Sequence, residues 1–119
     1  MSDRPARAWR CYLRDMIEFG DKVVAYTEGM DKSAFVGNGL VYDATIRNLE
    51  LIGEAAGRIP SEVRESGDAI PWRDIVAMRN RLAQGYTGVN NDTVCWAIEN
   101  EIPDLLTALR DLQANTEGP

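Results

Sequence analysis

The sequence predicts an all-α protein in which four to five antiparallel helices pack into a single bundle over residues 1–119. Apolar residues recur every three or four positions through most of the chain, and glycine or proline separates the periodic segments. No segment shows the alternation of a β-strand. The length suits one domain, with a core expected at about residues 6–113 and a flexible tail at 114–119.

The first predicted helix runs from Ala6 to about Glu28, and Gly29 is a plausible stop. Its apolar face comprises Trp9, Leu13, Met16, Phe19, Val23 and Tyr26. The next segment, Asp31–Gly39, contains two glycines and an asparagine, which predicts a connection or one short turn.

A second helix is predicted from about Leu40 to Ile59, because Pro60 ends the periodic pattern. Gly53 and Gly57 lie one turn apart within it. Each glycine costs about 1 kcal/mol relative to alanine inside a helix, so we expect a close contact with a neighbouring helix as compensation. A weak helix end is the alternative.

Proline and glycine also delimit the third long helix. Ser61 suits an N-cap and predicts a short helical turn over Ser61–Arg64. Pro71 fits the first turn of a helix over Trp72–Leu82, and Gly85 breaks that pattern.

The last predicted helix begins at a cap on Asn91 or Asp92 and continues almost to the tail, with Pro103 as a candidate position for a bend. Its apolar residues are Val94, Ile98, Ile102, Leu105, Leu109 and Leu112. Each of the three tryptophans lies in an apolar pattern with little basic charge nearby. We therefore expect Trp9, Trp72 and Trp96 in the core rather than stacked on nucleic-acid bases.

Composition argues against several classes of function. A formal net charge of -6 disfavours a broad nucleic-acid surface and DNA binding, so any contact with RNA should be local. The chain has no histidine and two cysteines, Cys11 and Cys95, which we expect to be free thiols. The usual zinc ligand sets are therefore missing, and we expect no metal or cofactor. The lack of an apolar run of about 18 residues predicts a cytoplasmic protein without a membrane partner.

Polar groups concentrate in the segment Met78–Tyr86, which spans the end of the third long helix and a glycine-rich turn. The planar guanidinium of Arg79 suits a phosphate, because its donors match two oxygens at once. The turn could fold Gln84 and Tyr86 back towards Arg79. Taken alone, Arg79 would more often be an ordinary surface arginine.

Arg79, Gln84 and Tyr86 have the spacing of the Arg-x4-His-x-Tyr motif of HepT-like HEPN proteins, which this chain resembles, with Gln84 at the histidine position. The segment Ile46–Ala55 resembles the second-helix core of that family. The segment Ile70–Arg73 resembles the entry to the helix that carries the motif. Three separated segments in the family's order make the resemblance specific.

The resemblance implies a homodimeric HEPN bundle and a metal-independent cleavage of RNA, at a cleft between two protomers, by Arg79 and a histidine. It also implies a type II toxin–antitoxin system in which a minimal nucleotidyltransferase antitoxin silences the toxin by AMPylation of Tyr86. In the expected chemistry the ribose 2′-hydroxyl is the nucleophile. The histidine moves its proton, and the arginine stabilises charge on the phosphate.

Gln84 departs from this pattern. A carboxamide cannot exchange a proton near neutral pH, and the chain has no histidine to substitute. Loss of a general acid or base typically lowers the rate about a hundred- to ten-thousand-fold, so we expect an inactive or attenuated nuclease. Gln84 is either a natural divergence or a detoxifying replacement of histidine, and the intact surrounding motif favours a replacement.

Four residues are expected to support Arg79 by orienting it or lining the cleft: Asn80, Arg47, Asn48 and Glu54. An ion-pair ladder is an equally good interpretation of one helical face, which comprises Asp43, Arg47, Glu50 and Glu54.

Three functions stay open at this point. The first is a HepT-type ribonuclease toxin attenuated at Gln84. The second is a non-catalytic binding or substrate subunit of a minimal nucleotidyltransferase. The third is an unrelated helical dimerisation module with a chance similarity in its motif.

Overall fold

Helices make up nearly all of the described chain in the computed structural model, which describes residues 3–67, 69–83 and 90–116, with side chains from residue 8 onward. The elements are α1 (Asp3–Thr27), α2 (Lys32–Gly37), α3 (Gly39–Ala56), α4 (Ser61–Ser66), α5 (Trp72–Ala83), α6 (Asn91–Trp96) and α7 (Ile102–Thr116), with a π-helical segment, Ala97–Glu101, between the last two. No strand occurs in these ranges. The predicted all-α class is confirmed.

The two central helices of the bundle are α1 and α3. Helix α1 packs against α3 and α7, while α3 also packs against α5. Helices α1 and α7 run antiparallel: Arg10, near the start of α1, donates to the carbonyl of Thr116 at 3.2 Å, and Asp21, further along α1, pairs with Arg110 at 2.5 Å. These two helices therefore form an antiparallel pair within a helical bundle, as the sequence predicts.

The core consists mainly of the residues that the helical periodicity selects. The largest fully buried side chains are Leu13, Met16, Leu109, Val23, Val94 and Thr45. Removing this apolar surface from water is the main term that stabilises the bundle. Thr45 is the one polar residue in this set, and its buried hydroxyl has no hydrogen-bond partner among the described residues.

The prediction for the tryptophans is correct for two and wrong for one. Trp9 and Trp72 are buried, but the side chain of Trp96 is 58% exposed. The face of α6 that packs on the bundle contains Val94, and Ala97 follows it one turn later. Trp96 falls between these two positions and therefore points away from the core.

Gly53 and Gly57 fulfil one expectation each. Helix α3 ends at Ala56, earlier than predicted, and the N–H of Gly57 bonds to the carbonyl of Gly53 at 3.0 Å. A Cβ added at Gly57 would meet no atom closer than 3.5 Å, so Gly57 marks the helix end. Gly53 instead lies against α5.

The start of α6 differs from the prediction, since the cap is Asn90 rather than Asn91 or Asp92. The Oδ1 of Asn90 accepts from the backbone N–H of Thr93 at 3.1 Å. A cap must reach the N–H three residues ahead, and Asn91 is already the first helical residue.

Near Pro103, the predicted position for a bend, the last helix contains a wide π-helical turn and then continues. Proline has no N–H, and its ring would collide with the carbonyl four residues earlier in a regular α-helix. In the π-helical segment before it, the N–H of Ile102 bonds to the carbonyl of Ala97, five residues back. Helix α7 then extends to Thr116.

No helix among the described residues combines the length and the apolar character needed to cross a membrane.

Candidate active site

Helix α5 approaches α3 unusually closely at Gly53. A Cβ built on Gly53 would lie 2.1 Å from the Cβ of Arg79, 2.8 Å from its Cγ and 3.1 Å from the carbonyl oxygen of Ile75. No side chain larger than hydrogen fits there without moving a helix. The close helix contact expected at Gly53 is present, and the residue of α5 that lies against Gly53 is Arg79.

The guanidinium of Arg79 is held at two of its nitrogens and remains accessible. Its Nη1 donates to Oδ1 of Asn80 at 3.1 Å, and its Nη2 lies 3.4 Å from Oε1 of Glu54. The side chains of Arg79 and Glu54 are 38% and 39% exposed. A guanidinium carries five N–H donors, so these two contacts leave donors for an incoming anion.

The other predicted supporting residues on α3 make different contacts. Asn48 is buried, and its Nδ2 donates to the carbonyl of Ala44 at 2.8 Å. Arg47 pairs with Glu50 at 3.6 Å and lies two helical turns from Glu54, about 10 Å along the axis. Of the three α3 residues, Glu54 is therefore the one that contacts Arg79. Of the ion-pair ladder considered for α3, the pair of Arg47 and Glu50 is present.

The remaining two predicted site residues, Gln84 and Tyr86, lie outside the described residues. Two side-chain contacts hold the first residues of α6, the helix that follows them. The phenol of Tyr42 donates to Oδ1 of Asn91 at 2.6 Å, and Lys32 pairs with Asp92. Burial, followed by the charge of Asp43, raises the pKa of the Tyr42 phenol.

A groove on another side of α5 does not contain Arg79. It has a volume of about 270 Å³ and lies between α5 and the α6–α7 segment, with Leu49, Met78, Ala97 and Leu105 among its lining residues. Its lining is mainly apolar and also includes Asp74, Arg81 and Glu101. Because the motif arginine, Arg79, is not part of it, we place the candidate site at the α3–α5 contact. Among the described residues, no three Cys, Asp or Glu side chains converge to hold a metal ion.

Comparison with known proteins identifies the family. The model of the family described as "Ribonuclease HepT-like" matches residues 16–112. The chain belongs to the HepT-like ribonuclease family. This membership excludes an unrelated helical module with a chance motif and supports a ribonuclease-type role.

Individual relatives agree with the HepT-like assignment. Two proteins of Methanocaldococcus jannaschii, each named "Putative RNase", are 32% and 36% identical to this chain. The first match covers 96% of this chain and 94% of the relative, and the second covers 85% and 87%. A "Probable ribonuclease HepT" of Thermococcus cleftensis is 31% identical over 83% of this chain and 90% of its own. No solved structure gives a significant match.

Sequence reasoning did not identify the contact between Gly53 and Arg79. The cost of a glycine inside α3 indicated that some neighbour must approach closely. The sequence does not say which neighbour, because Gly53 and Arg79 are 26 positions apart and meet only when α5 packs on α3.

Proposed function

We propose that this protein is an attenuated HepT-type ribonuclease toxin, in which Arg79 binds the scissile phosphate of RNA and Gln84 stands in place of the catalytic histidine. The observation that carries the proposal is the half-exposed guanidinium of Arg79, oriented by Glu54 and Asn80, in a chain of the HepT-like family. The overall charge of -6 is compatible with this role if contact with RNA is confined to this site.

The reaction is an internal transfer of the phosphate. The ribose 2′-oxygen attacks the adjacent phosphorus, the bond to the 5′-oxygen of the next nucleotide breaks, and a 2′,3′-cyclic phosphate forms. Negative charge builds on the non-bridging oxygens during the attack, and a guanidinium stabilises that charge. A proton must also leave the 2′-hydroxyl, and another must reach the departing 5′-oxygen. Gln84 can form hydrogen bonds but can neither take up the first proton nor supply the second.

The complete site is proposed to form in a homodimer, with the half-exposed Arg79 of each protomer facing the cleft between them. Regulation is assigned to Tyr86 and a minimal nucleotidyltransferase antitoxin. In that modification, the phenolic oxygen forms a bond to the α-phosphorus of ATP and pyrophosphate leaves. Neither the cleavage nor its regulation calls for a metal ligand from this chain.

Restoring the proton shuttle tests the proposal directly. The Gln84→His protein should cleave single-stranded RNA about a hundred- to ten-thousand-fold faster than the parent chain, because a positioned general base contributes that much. The rate is measured with purified protein on end-labelled RNA, and growth arrest on expression is the second readout. The matched control is Gln84→Asn, which keeps a carboxamide.

A Gln84→His protein that folds, cleaves no RNA and does not slow growth would rule out the ribonuclease proposal. Adding Arg79→Ala to an active Gln84→His protein should remove most of the gained rate, since loss of one charge-stabilising donor typically costs about a hundred- to a thousand-fold. Retention of the full rate would show that Arg79 has no part in the cleavage.

A second function, a non-catalytic subunit that serves as substrate or binding partner of the nucleotidyltransferase, is favoured by one observation. The chain contains no histidine anywhere, so it has no side chain of the usual type for proton transfer near neutral pH. Incubation with the nucleotidyltransferase and ATP should then add one adenylyl group to the parent chain, measured by intact mass, and none to Tyr86→Phe. An unmodified parent chain that also fails to co-elute with the enzyme would count against this function.

A further inference from the structure

The residue of α3 that lies beneath Arg79 is a glycine and has no side chain. Gly53 lies directly under the first two carbons of the Arg79 side chain, and the next residue on the same helix, Glu54, contacts its guanidinium. One stretch of α3 therefore touches both ends of the arginine. Because Gly53 carries only a hydrogen, it leaves room for the Cβ and Cγ of Arg79. The carboxylate of Glu54 contacts the guanidinium.

We propose that Gly53 is a positioning residue for RNA cleavage: by carrying no side chain, it lets α5 settle where the guanidinium of Arg79 reaches both Glu54 and the scissile phosphate. This inference rests on the proposed ribonuclease function. It goes beyond that function by assigning a role to a residue that touches neither RNA nor the reacting atoms.

The atoms that Gly53 accommodates make the effect hard to relieve. An alanine Cβ would lie 2.1 Å from the Cβ of Arg79, whereas ordinary contacts begin at 3.4 Å, so the two groups must separate by about 1.3 Å. The Cβ of Arg79 is fixed to the α5 backbone and cannot rotate away. The shift therefore has to move α5 itself, and Arg79 moves with it.

A shift of this size is large relative to catalytic tolerances. A misplacement of about 1 Å can lower a rate about a hundred-fold, because the charge-stabilising group no longer matches the transition state. Glu54 stays on α3 while Arg79 moves with α5, so the 3.4 Å contact between them is also disturbed. Gly57, the residue that caps the end of α3, provides the contrast, since a Cβ there has ordinary contacts of 3.5 Å or more.

The first experiment measures stability in the parent chain and needs no activity. Gly53→Ala should lower Tm by about 5–15 °C, as overpacking does, whereas Gly57→Ala should change it little. Arg79→Gly removes the two atoms that collide, so Gly53→Ala should cost less than half as much Tm in that background. An equal loss of Tm in both backgrounds would show that Gly53 does not accommodate the side chain of Arg79, and the inference would be wrong.

The same design covers a variant that fails to fold. If Gly53→Ala is unfolded and the double variant with Arg79→Gly is folded, the collision with Arg79 is demonstrated. If Arg79→Gly alone is folded but the double variant is unfolded, the collision lies with other atoms and the inference is wrong.

The second experiment measures kinetics in the Gln84→His protein, well below the Tm of the weakest variant. Gly53→Ala should lower kcat about 10- to 100-fold with little change in KM, and Gly57→Ala should leave both constants within about threefold. In an Arg79→Ala background, Gly53→Ala should cause no further loss, because it acts through that arginine. An unchanged kcat, or a further loss without the guanidinium, would overturn the positioning role. If Gln84→His itself cleaves no RNA, the ribonuclease proposal fails. The Tm comparison still decides whether Gly53 makes room for the side chain of Arg79.

Discussion

Two glycines, Gly20 and Gly53, each allow a pair of helices to approach closely, and the residues opposite them differ in kind. In the α1–α7 pair, a Cβ at Gly20 would meet the Cδ2 of Leu106 at 2.7 Å, which is the far end of a flexible side chain. In the α3–α5 pair, a Cβ at Gly53 would meet the Cβ of Arg79 at 2.1 Å, which is the root of one. The first contact is apolar and buried, and the second lies beneath a half-exposed charged group.

The difference separates a packing contact from a positioning contact. The tip of Leu106 can adjust its rotamer, so the α1–α7 contact tolerates change at the level of one side chain. The root of Arg79 can move only with α5, so the α3–α5 contact transmits any change to the guanidinium. A glycine inside a helix therefore indicates a functional site only when the group opposite it has a chemical role.

After that of Gly53→Ala, the largest effect that tests this distinction is expected at Glu54, on the positioning side. In the Gln84→His protein, Glu54→Gln should lower kcat about tenfold, because the guanidinium loses a charged partner that orients it. Stability should fall by less than about 1 kcal/mol, since the ion pair is partly exposed and screened by solvent. Steady-state cleavage and thermal unfolding of the same samples provide the two values.

Arg47→Gln is the matched control, because it removes a charge from the same helix without contacting Arg79. It should leave kcat within about threefold. A rate that rises in Glu54→Gln would mean that the carboxylate competes with the RNA phosphate for Arg79, and the positioning interpretation of the pair would then be wrong.

The smallest effect is expected at Gly20, on the packing side. Gly20→Ala should change the free energy of unfolding by no more than about 1 kcal/mol, because the gain in helix propensity offsets the rearrangement of Leu106. Denaturant unfolding of Gly20→Ala and Gly53→Ala in parallel measures the contrast. If Gly20→Ala destabilises the protein as strongly as Gly53→Ala, the two contacts do not differ in the way described here.

Local sequence determined the helices and most of the core. The apolar period selected Leu13, Met16 and Leu109, all of which are buried, because a repeat of three to four residues keeps one face of a helix against its neighbours. The same reasoning misjudged Trp96, since an apolar residue beside the buried face of a short helix looks the same in sequence as one within it. Local rules also placed the cap of α6 at Asn91 or Asp92, whereas the structure assigns it to Asn90.

The sequence alone also identifies the motif formed by Arg79, Gln84 and Tyr86. It predicts as well that a carboxamide at the position of the histidine prevents proton transfer. Only the packing of α5 on α3 decided which of several polar residues meets Arg79, and that Gly53 lies beneath it. The physical reason is that helix periodicity fixes which residues share a face. The approach of two helices distant in sequence depends on how all the faces of the bundle fit together.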